Sequence, residues 1–307
     1  MRHLLLYLSL TALISPAVGQ EVLPLYEAKL PCVADQPAAE YQDTIIGLVK
    51  TYVDTPYVEY YAPVPRSARP TAVIVVPGGG YWISAWDYEG TDFARRLVTE
   101  GYHVFVLAYR LPGRLDDEVC RNKVALADGQ RAVQLVRSLA TERGFAPERV
   151  AVMGFSAGGH LAGSVAVHPV APIEQANDPV LRYGSRPDRS ILVYPVTLMN
   201  AAGTGHAGSQ RALLGDRPTT EQLTYYDLPG RVDSLTPPTL LVHASDDRAV
   251  PVANALRYYE ALVHHGVPAD LRVYATGEHG FALARGLTNE PVREWFAEVL
   301  RWLEDWR

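Results

Sequence analysis

The sequence predicts an α/β protein with a mostly parallel central sheet and helices on both faces. Three observations predict it. Short apolar runs alternate with helical patterns from Thr71 onward. The runs read as strands buried on both faces. A glycine-rich turn joins one of these runs directly to a helix.

Taken in order, residues 57–63 and the segment before them predict antiparallel strands at one edge of the sheet. Residues 71–76 predict a buried strand, 91–101 a helix and 103–109 a second buried strand. A long amphipathic helix is predicted over 122–143, with Val124, Leu126, Ala127, Ala132, Leu135, Val136 and Leu139 on its apolar face. Residues 149–153 form the strand before the glycine-rich turn, and 159–167 the helix after it. Strands follow at 191–195, 239–244 and 271–275, with helices at 252–265 and 290–306. Residues 198–238 break this rhythm. They are rich in glycine, threonine and polar residues, and an insertion there would overhang the turn and shape a pocket. An ordinary connecting helix with loops accounts for part of the segment. The chain shows no internal repeat and no low-complexity linker.

The turn itself is Gly154-Phe155-Ser156-Ala157-Gly158. G-x-S-x-G between strand and helix is the nucleophile elbow of the α/β-hydrolases. It exposes the serine hydroxyl above the sheet, at a helix N-terminus that favours negative charge. A nucleophilic serine needs a base, a group that orients the base, and donors for the oxyanion. In this fold the order is serine, acid, histidine. Downstream of Ser156, the strand at 239–244 runs into Ser245-Asp246-Asp247-Arg248-Ala249-Val250-Pro251, and the strand at 271–275 into Gly277-Glu278-His279-Gly280-Phe281. Both loops fall on the rim that carries the elbow. The Asp-x-x-Val-Pro register gives Asp247 the acid role, leaves Asp246 to the turn, and makes His279 the base. Directly after the strand at 71–76 stands Pro77-Gly78-Gly79-Gly80-Tyr81, the positional counterpart of the HGGG loop. The N–H groups of Gly79, Gly80 and Ala157 are assigned to the oxyanion, each worth about 3–4 kcal/mol in the transition state.

Residues 1–19 read as a secretory signal peptide, with a basic start, an apolar core too short to span a bilayer stably, and small residues at Ala17 and Gly19. Residues 20–307 then form one exported α/β-hydrolase domain, secreted or periplasmic, with no membrane attachment. The net charge of −6 leaves no basic footprint for nucleic acid. The reading requires no cofactor and no metal. His264 and His265 are adjacent, point in different helical directions and face solvent. Two cysteines occur, Cys32 and Cys120. An oxidising compartment would allow them to pair, but sequence does not give their geometry.

Several segments together resemble the secreted acetylxylan-esterase-like α/β-hydrolases. These are Pro77-Gly78-Gly79-Gly80-Tyr81, Glu89-Gly90, Tyr109-Arg110, residues 128–132 and 154–161, Arg186-Pro187-Asp188 with Tyr194-Pro195, residues 247–251 and residues 278–281. Leu23-Pro24-Leu25-Tyr26 and Lys29-Leu30-Pro31 also resemble that group's leader into its first strand. The resemblance covers nearly the whole chain after the leader. It implies acyl transfer through an acyl-enzyme and a small or oligosaccharide ester as substrate. The leading reading is deacetylation of xylan or xylooligosaccharides. A general short-chain or feruloyl-type esterase is the nearest alternative. A serine peptidase and a catalytically dead binding module are more distant ones. One departure is Glu278, where glycine commonly precedes the histidine; its carboxylate either supports His279 or faces solvent. Tyr81 and Trp82 either floor a sugar site or pack in the core. Arg110 and Glu89 are expected to brace the glycine loop as an ion pair. His160 and His243 read as packed histidines rather than bases. The oligomeric state is not legible.

Overall fold

The computed structural model describes residues 20–27, 32, 37–199, 203–287 and 291–306. Residues 1–19, expected from sequence to be a signal peptide, and the segment 29–31 lie outside the described residues.

The chain opens with β1 (Gln20–Pro24), then β2 (Ala39–Asp43), β3 (Gly47–Tyr52) and β4 (Tyr57–Tyr61). β2 and β3 form a separate two-stranded sheet, which Lys50 of β3 bridges to Ser84, whereas β1 and β4 join the main sheet as an antiparallel pair. The parallel part begins with β5 (Ala72–Val76), α1 (Asp92–Thr99) and β6 (His103–Ala108), and continues through α2 (Glu118–Ser138), α3 (Ala140–Arg143) and β7 (Val150–Phe155). α4 (Ser156–Val167) leads to β8 (Arg189–Val193). α5 (Ala207–Leu214) and α6 (Thr220–Tyr226) lie between β8 and β9 (Thr239–Ala244). α7 (Ala253–His264), β10 (Ala269–Tyr274) and α8 (Trp295–Glu304) complete the order. The eight strands run β1-β4-β6-β5-β7-β8-β9-β10, parallel from β6 through β10. This is the α/β-hydrolase arrangement.

Strand alternation divides the core into two halves. Ala72, Ile74 and Val76 face a cluster with Ala125 and Ala132 of α2, Leu161 of α4 and Tyr258 of α7. Val73 and Val75 face the other, with Phe93 and Leu97 of α1 and Trp295 and Val299 of α8. All five residues of β5 are buried, which explains why its sequence shows no polar alternation.

Several boundaries differ from expectation. α2 begins at Glu118 rather than Asn122, because the Asp117 carboxylate caps the N–H groups of Val119 and Cys120. Its first turn, Glu118-Val119-Cys120-Arg121, leaves Val119 exposed and carries no periodic signal. The last helix is preceded by a short 3₁₀ turn, Pro291–Glu294. Cys32 and Cys120 form a disulfide with a Cα–Cα distance of 5.5 Å, linking positions 88 residues apart. It fastens the N-terminal arm to the first turn of α2.

Candidate active site

β7 ends at Phe155, and Ser156 opens α4 at a φ of +51°. The left-handed conformation is costly for a serine and persists because the surroundings over-determine it. A Cβ on Gly158 would lie 2.5 Å from the Pro77 carbonyl oxygen, and one on Gly154 would lie 2.7 Å from Ala162 Cβ. The elbow thus packs directly against the end of β5 and against its own helix.

Ser156 Oγ lies 2.9 Å from His279 Nε2, and His279 Nδ1 lies 2.7 Å from Asp247 Oδ2. Asp247 Oδ1 accepts the N–H groups of Ala249 and Val250 at 3.0 and 2.8 Å. Burial opposes ionisation of Asp247, but the donors His243, His279 and the Val250 N–H outweigh it. They hold the carboxyl well below the usual carboxylate range. An ionised Asp247 accepts the Nδ1–H of His279, which leaves Nε2 free to take a proton from Ser156. The residues read from sequence as nucleophile, acid and base are therefore within hydrogen-bond reach of one another. They come from the ends of three strands, β7, β9 and β10.

Gly79 and Gly80 follow β5 with φ of +126° and +65°. Gly79 uses its carbonyl to receive the N–H groups of Trp82 and Ile83, and neither Gly79 nor Gly80 donates to a backbone carbonyl among the described residues. Ala157 sits in the first turn of α4, where an N–H has no intrahelical acceptor. The glycine loop runs beside the elbow, since a Cβ on Gly78 would lie 3.0 Å from Ser156 Cβ.

The remaining expectations divide. Tyr81 is 1% exposed, and its hydroxyl donates to His160 Nδ1 at 2.8 Å. It is a core residue and does not floor an open site; its φ of +66° turns it inward. Trp82 is 39% exposed and lies at the rim. The Arg110–Glu89 ion pair is absent. Arg110 instead grips the buried Asp128 through Nε and Nη2, at 3.0 and 2.7 Å, which ties the end of β6 to α2. Glu89 does brace the glycine loop, but by accepting the Gly78 N–H and the Tyr194 hydroxyl, both at 2.8 Å. Burial raises its pKa against these donors. Tyr194 in turn sets its ring edgewise on His279, 5.1 Å between centroids. Glu278 is exposed at a φ of +55°. Its backbone, not its side chain, serves the site. Asp246 accepts the Gly277 and Glu278 N–H groups at 3.3 and 2.8 Å and so holds the loop that carries His279.

Two histidines near the site carry roles that sequence reading did not give them. His243 is buried, with Nε2 2.9 Å from the Val250 carbonyl oxygen and 3.3 Å from Asp247 Oδ2. A carbonyl can only accept, so Nε2 carries the proton and points it toward Asp247 as well. His206 caps α5 from the 198–238 segment. Burial first, and then the neighbouring His279, lower its pKa, while Asp247 opposes them. The only sequence signal was His206-x-x-Ser209, the spacing of a helix cap, in a stretch without periodicity.

Among the described residues no cluster of three or more His, Cys, Asp or Glu is placed to hold a metal ion. No helix among them is long and apolar enough to cross a membrane.

Comparison with known proteins gives matches of three kinds. Residues 58–262 match the model of the BD-FAE family. An endo-1,4-beta-xylanase B of Butyrivibrio fibrisolvens is 35% identical over 212 residues, 69% of this chain and 32% of the relative. An acetylxylan esterase of Xylanibacter ruminicola is 33% identical over 221 residues, 71% of this chain and 42% of the relative. The chain thus spans about a third and about two fifths of these relatives' own lengths. Among solved structures, an acetyl ester-xyloside bifunctional hydrolase from Caldicellulosiruptor lactoaceticus superposes with a TM-score of 0.77 at 32% identity. The match covers 95% of this chain and 97% of that one.

Proposed function

We propose that this chain, which belongs to the BD-FAE family, is an exported serine carboxylesterase that deacetylates xylan or xylooligosaccharides through an acyl-enzyme. The observation that carries the reading is the unbroken hydrogen-bonded line from Asp247 through His279 to Ser156. Similarity to an acetylxylan esterase and to an acetyl ester-xyloside hydrolase supports the substrate class. Export is supported by the leader at residues 1–19 and by the Cys32–Cys120 disulfide, which belongs to an oxidising compartment.

In this mechanism His279 Nε2 takes the proton of Ser156 as the serine oxygen attacks the ester carbonyl. The tetrahedral oxyanion rests on the N–H groups of Gly79, Gly80 and Ala157. His279 returns its proton to the departing sugar hydroxyl. A water molecule, deprotonated by His279, then attacks the acetyl-serine and releases acetate.

The test is acetate release from acetylated xylooligosaccharides by the purified protein, with a fluorophosphonate probe to label Ser156. Labelling and release are expected. Brisk turnover of an unrelated acyl ester with no acetate released would replace the substrate with that of a general carboxylesterase. An unlabelled Ser156 would remove the mechanism.

A further inference from the structure

We propose that the mouth of the site beside Gly80 is a sugar subsite on the alcohol side of the ester. Its walls are the indole of Trp82 and the Nε2–H of His206. The inference rests on the esterase reading above and adds the part of the site that holds the carbohydrate.

Position comes first. A Cβ placed on Gly80 would lie 3.9 Å from both Trp82 Cδ1 and His206 Cε1. The two rings therefore flank the second donor glycine. Among the described residues, its own chain neighbours aside, no atom comes closer to that Cβ than these two. One ring comes from the glycine loop after β5 and the other from the segment between β8 and β9.

The tautomer of His206 follows from its partners. The Ser209 backbone N–H, which can only donate, lies 3.1 Å from His206 Nδ1. Nδ1 is therefore an acceptor, and in the neutral ring the proton sits on Nε2. The Ser209 hydroxyl, 2.8 Å from the same nitrogen, adds a second donor. Ser209 is fully buried, so the clamp is rigid. No acceptor for Nε2 is found among the described residues, and Nε2 is not among the buried polar atoms that lack a partner. The ring thus presents one fixed, solvent-reachable donor beside the triad.

Trp82 supplies a complementary surface. Gly113 packs against the six-membered part of the indole, where a Cβ would lie 2.6 Å from Cδ2 and 2.7 Å from Cε3. Arg114 donates from Nε to the Trp82 carbonyl oxygen at 2.8 Å and holds the loop in place. The Arg114 guanidinium also lies over this ring, 5.8 Å from its centroid, and Trp82 keeps 39% of its surface exposed. That exposed indole surface matches the apolar C–H face of a pyranose, and a single N–H donor matches one of its hydroxyls. Apolar contact with a few directed polar groups is how small-molecule sites fix orientation.

Exposure assigns the subsite to the alcohol rather than the acyl group. An acetyl group needs only methyl-sized space beside Ser156, which is buried. A sugar that continues into a longer chain must leave toward solvent, and Trp82 stands at that opening.

The experiment uses unacetylated xylotriose as a competitive inhibitor of aryl acetate hydrolysis, with the inhibition constant as the readout. His206→Asn keeps an oxygen that can cap α5 but withdraws the Nε2–H. His206→Gln keeps a donor near the position of Nε2. The inhibition constant is expected to rise about fivefold in His206→Asn, the scale of one lost hydrogen bond. A similar rise is expected in Trp82→Ala, and a smaller one in His206→Gln. No inhibition of the wild-type protein would overturn the subsite, as would unchanged constants in Trp82→Ala and His206→Asn. Equal rises in the Asn and Gln variants would reassign His206 to the helix cap and overturn its part. Acetate release from acetylated xylooligosaccharides is measured alongside. Release with unmoved inhibition constants leaves the esterase reading standing and removes the subsite. The expected inhibition pattern without release keeps the subsite and removes the acetylxylan reading.

Discussion

The carboxylate of Asp247 stands 2.7 Å from His279 Nδ1, whereas its neighbour Asp246 turns away to accept the backbone N–H groups of Gly277 and Glu278. One aspartate orients the imidazole and the other holds the loop on which it rides. Asp247→Asn is therefore expected to lower kcat by about 10⁴-fold while leaving the fold intact, since an amide cannot stabilise the imidazolium in the same way. Asp246→Asn keeps an oxygen for one loop N–H and should cost far less. Steady-state kinetics with circular dichroism on both variants decides it; the reverse ranking would shift the acid by one residue.

His243 gives Asp247 a second donor on the same oxygen that meets His279. His243→Phe fills the ring volume and removes that donor. On the proposed mechanism kcat should fall about tenfold, the weight of a hydrogen bond to a charged group, with KM little changed. The Asp247→Asn, His243→Phe double variant should then be no slower than Asp247→Asn alone. Full additivity would place His243 outside the catalytic line.

His160 joins the glycine loop to α6 through the core and links that contact to stability. A carbonyl, that of Tyr226, lies 2.9 Å from its Nε2, so Nε2 donates and Nδ1 accepts from Tyr81. Burial outweighs the Tyr226 bond and lowers its pKa from 6.5 to about 4. The folded value lies below the unfolded one. The stabilisation is therefore complete above pH 6.5 and is lost progressively as the pH falls toward 4. Urea unfolding should show this as a slope of up to about 1.4 kcal/mol per pH unit. His160→Leu should be less stable throughout but lack that part of the slope. An unchanged slope would show that the ring titrates alike in both states.

Two glycines of the donor loop should respond differently to alanine. Gly79, at a φ of +126°, would bring its Cβ within 2.7 Å of Ile83 Cγ1 and onto the Ile83 backbone. Gly79→Ala should disrupt the loop and abolish turnover. Gly80 has open space around a Cβ at a φ of +65°. Gly80→Ala should fold with a penalty of about 1–2 kcal/mol from left-handed strain. Thermal melts beside kcat separate the two; equal losses would mean that space at Gly80 is tighter than its neighbours indicate.

Much of the frame was legible because buried parallel strands leave an unmistakable mark. β5 and β7 are apolar from end to end, and the glycines around Ser156 announce a turn that side chains would obstruct. Side-chain partners were harder to read. Arg110 finds Asp128 across a strand-to-helix gap that no local spacing encodes, so the expected pair with Glu89 gives way to a partner that only the tertiary structure supplies. The inward turn of Tyr81 depends on a single left-handed φ at the end of a glycine run. His206 stood in a stretch whose elements, α5 and α6, are too short to show a period. Its closeness to the triad is purely a matter of tertiary structure. Glu278 stands at a φ of +55°, a left-handed conformation that glycine adopts without the Cβ penalty, and no pattern in the sequence signals it.

The three strands that feed the line from Asp247 to Ser156 are not equally protected. β7 and β9 are buried at every residue and paired on both sides, whereas β10 closes the sheet with one neighbour and no fully buried position. Amide hydrogens along β10 should accordingly exchange with solvent by a sub-global opening well below the free energy of complete unfolding. Such an opening would detach His279 while Ser156 and Asp247 stay in place. On warming there would then be an interval in which the chain still gives the spectrum of a folded protein but no longer turns over substrate. Cooling from within that interval would restore the activity, because only the outermost strand has to dock again.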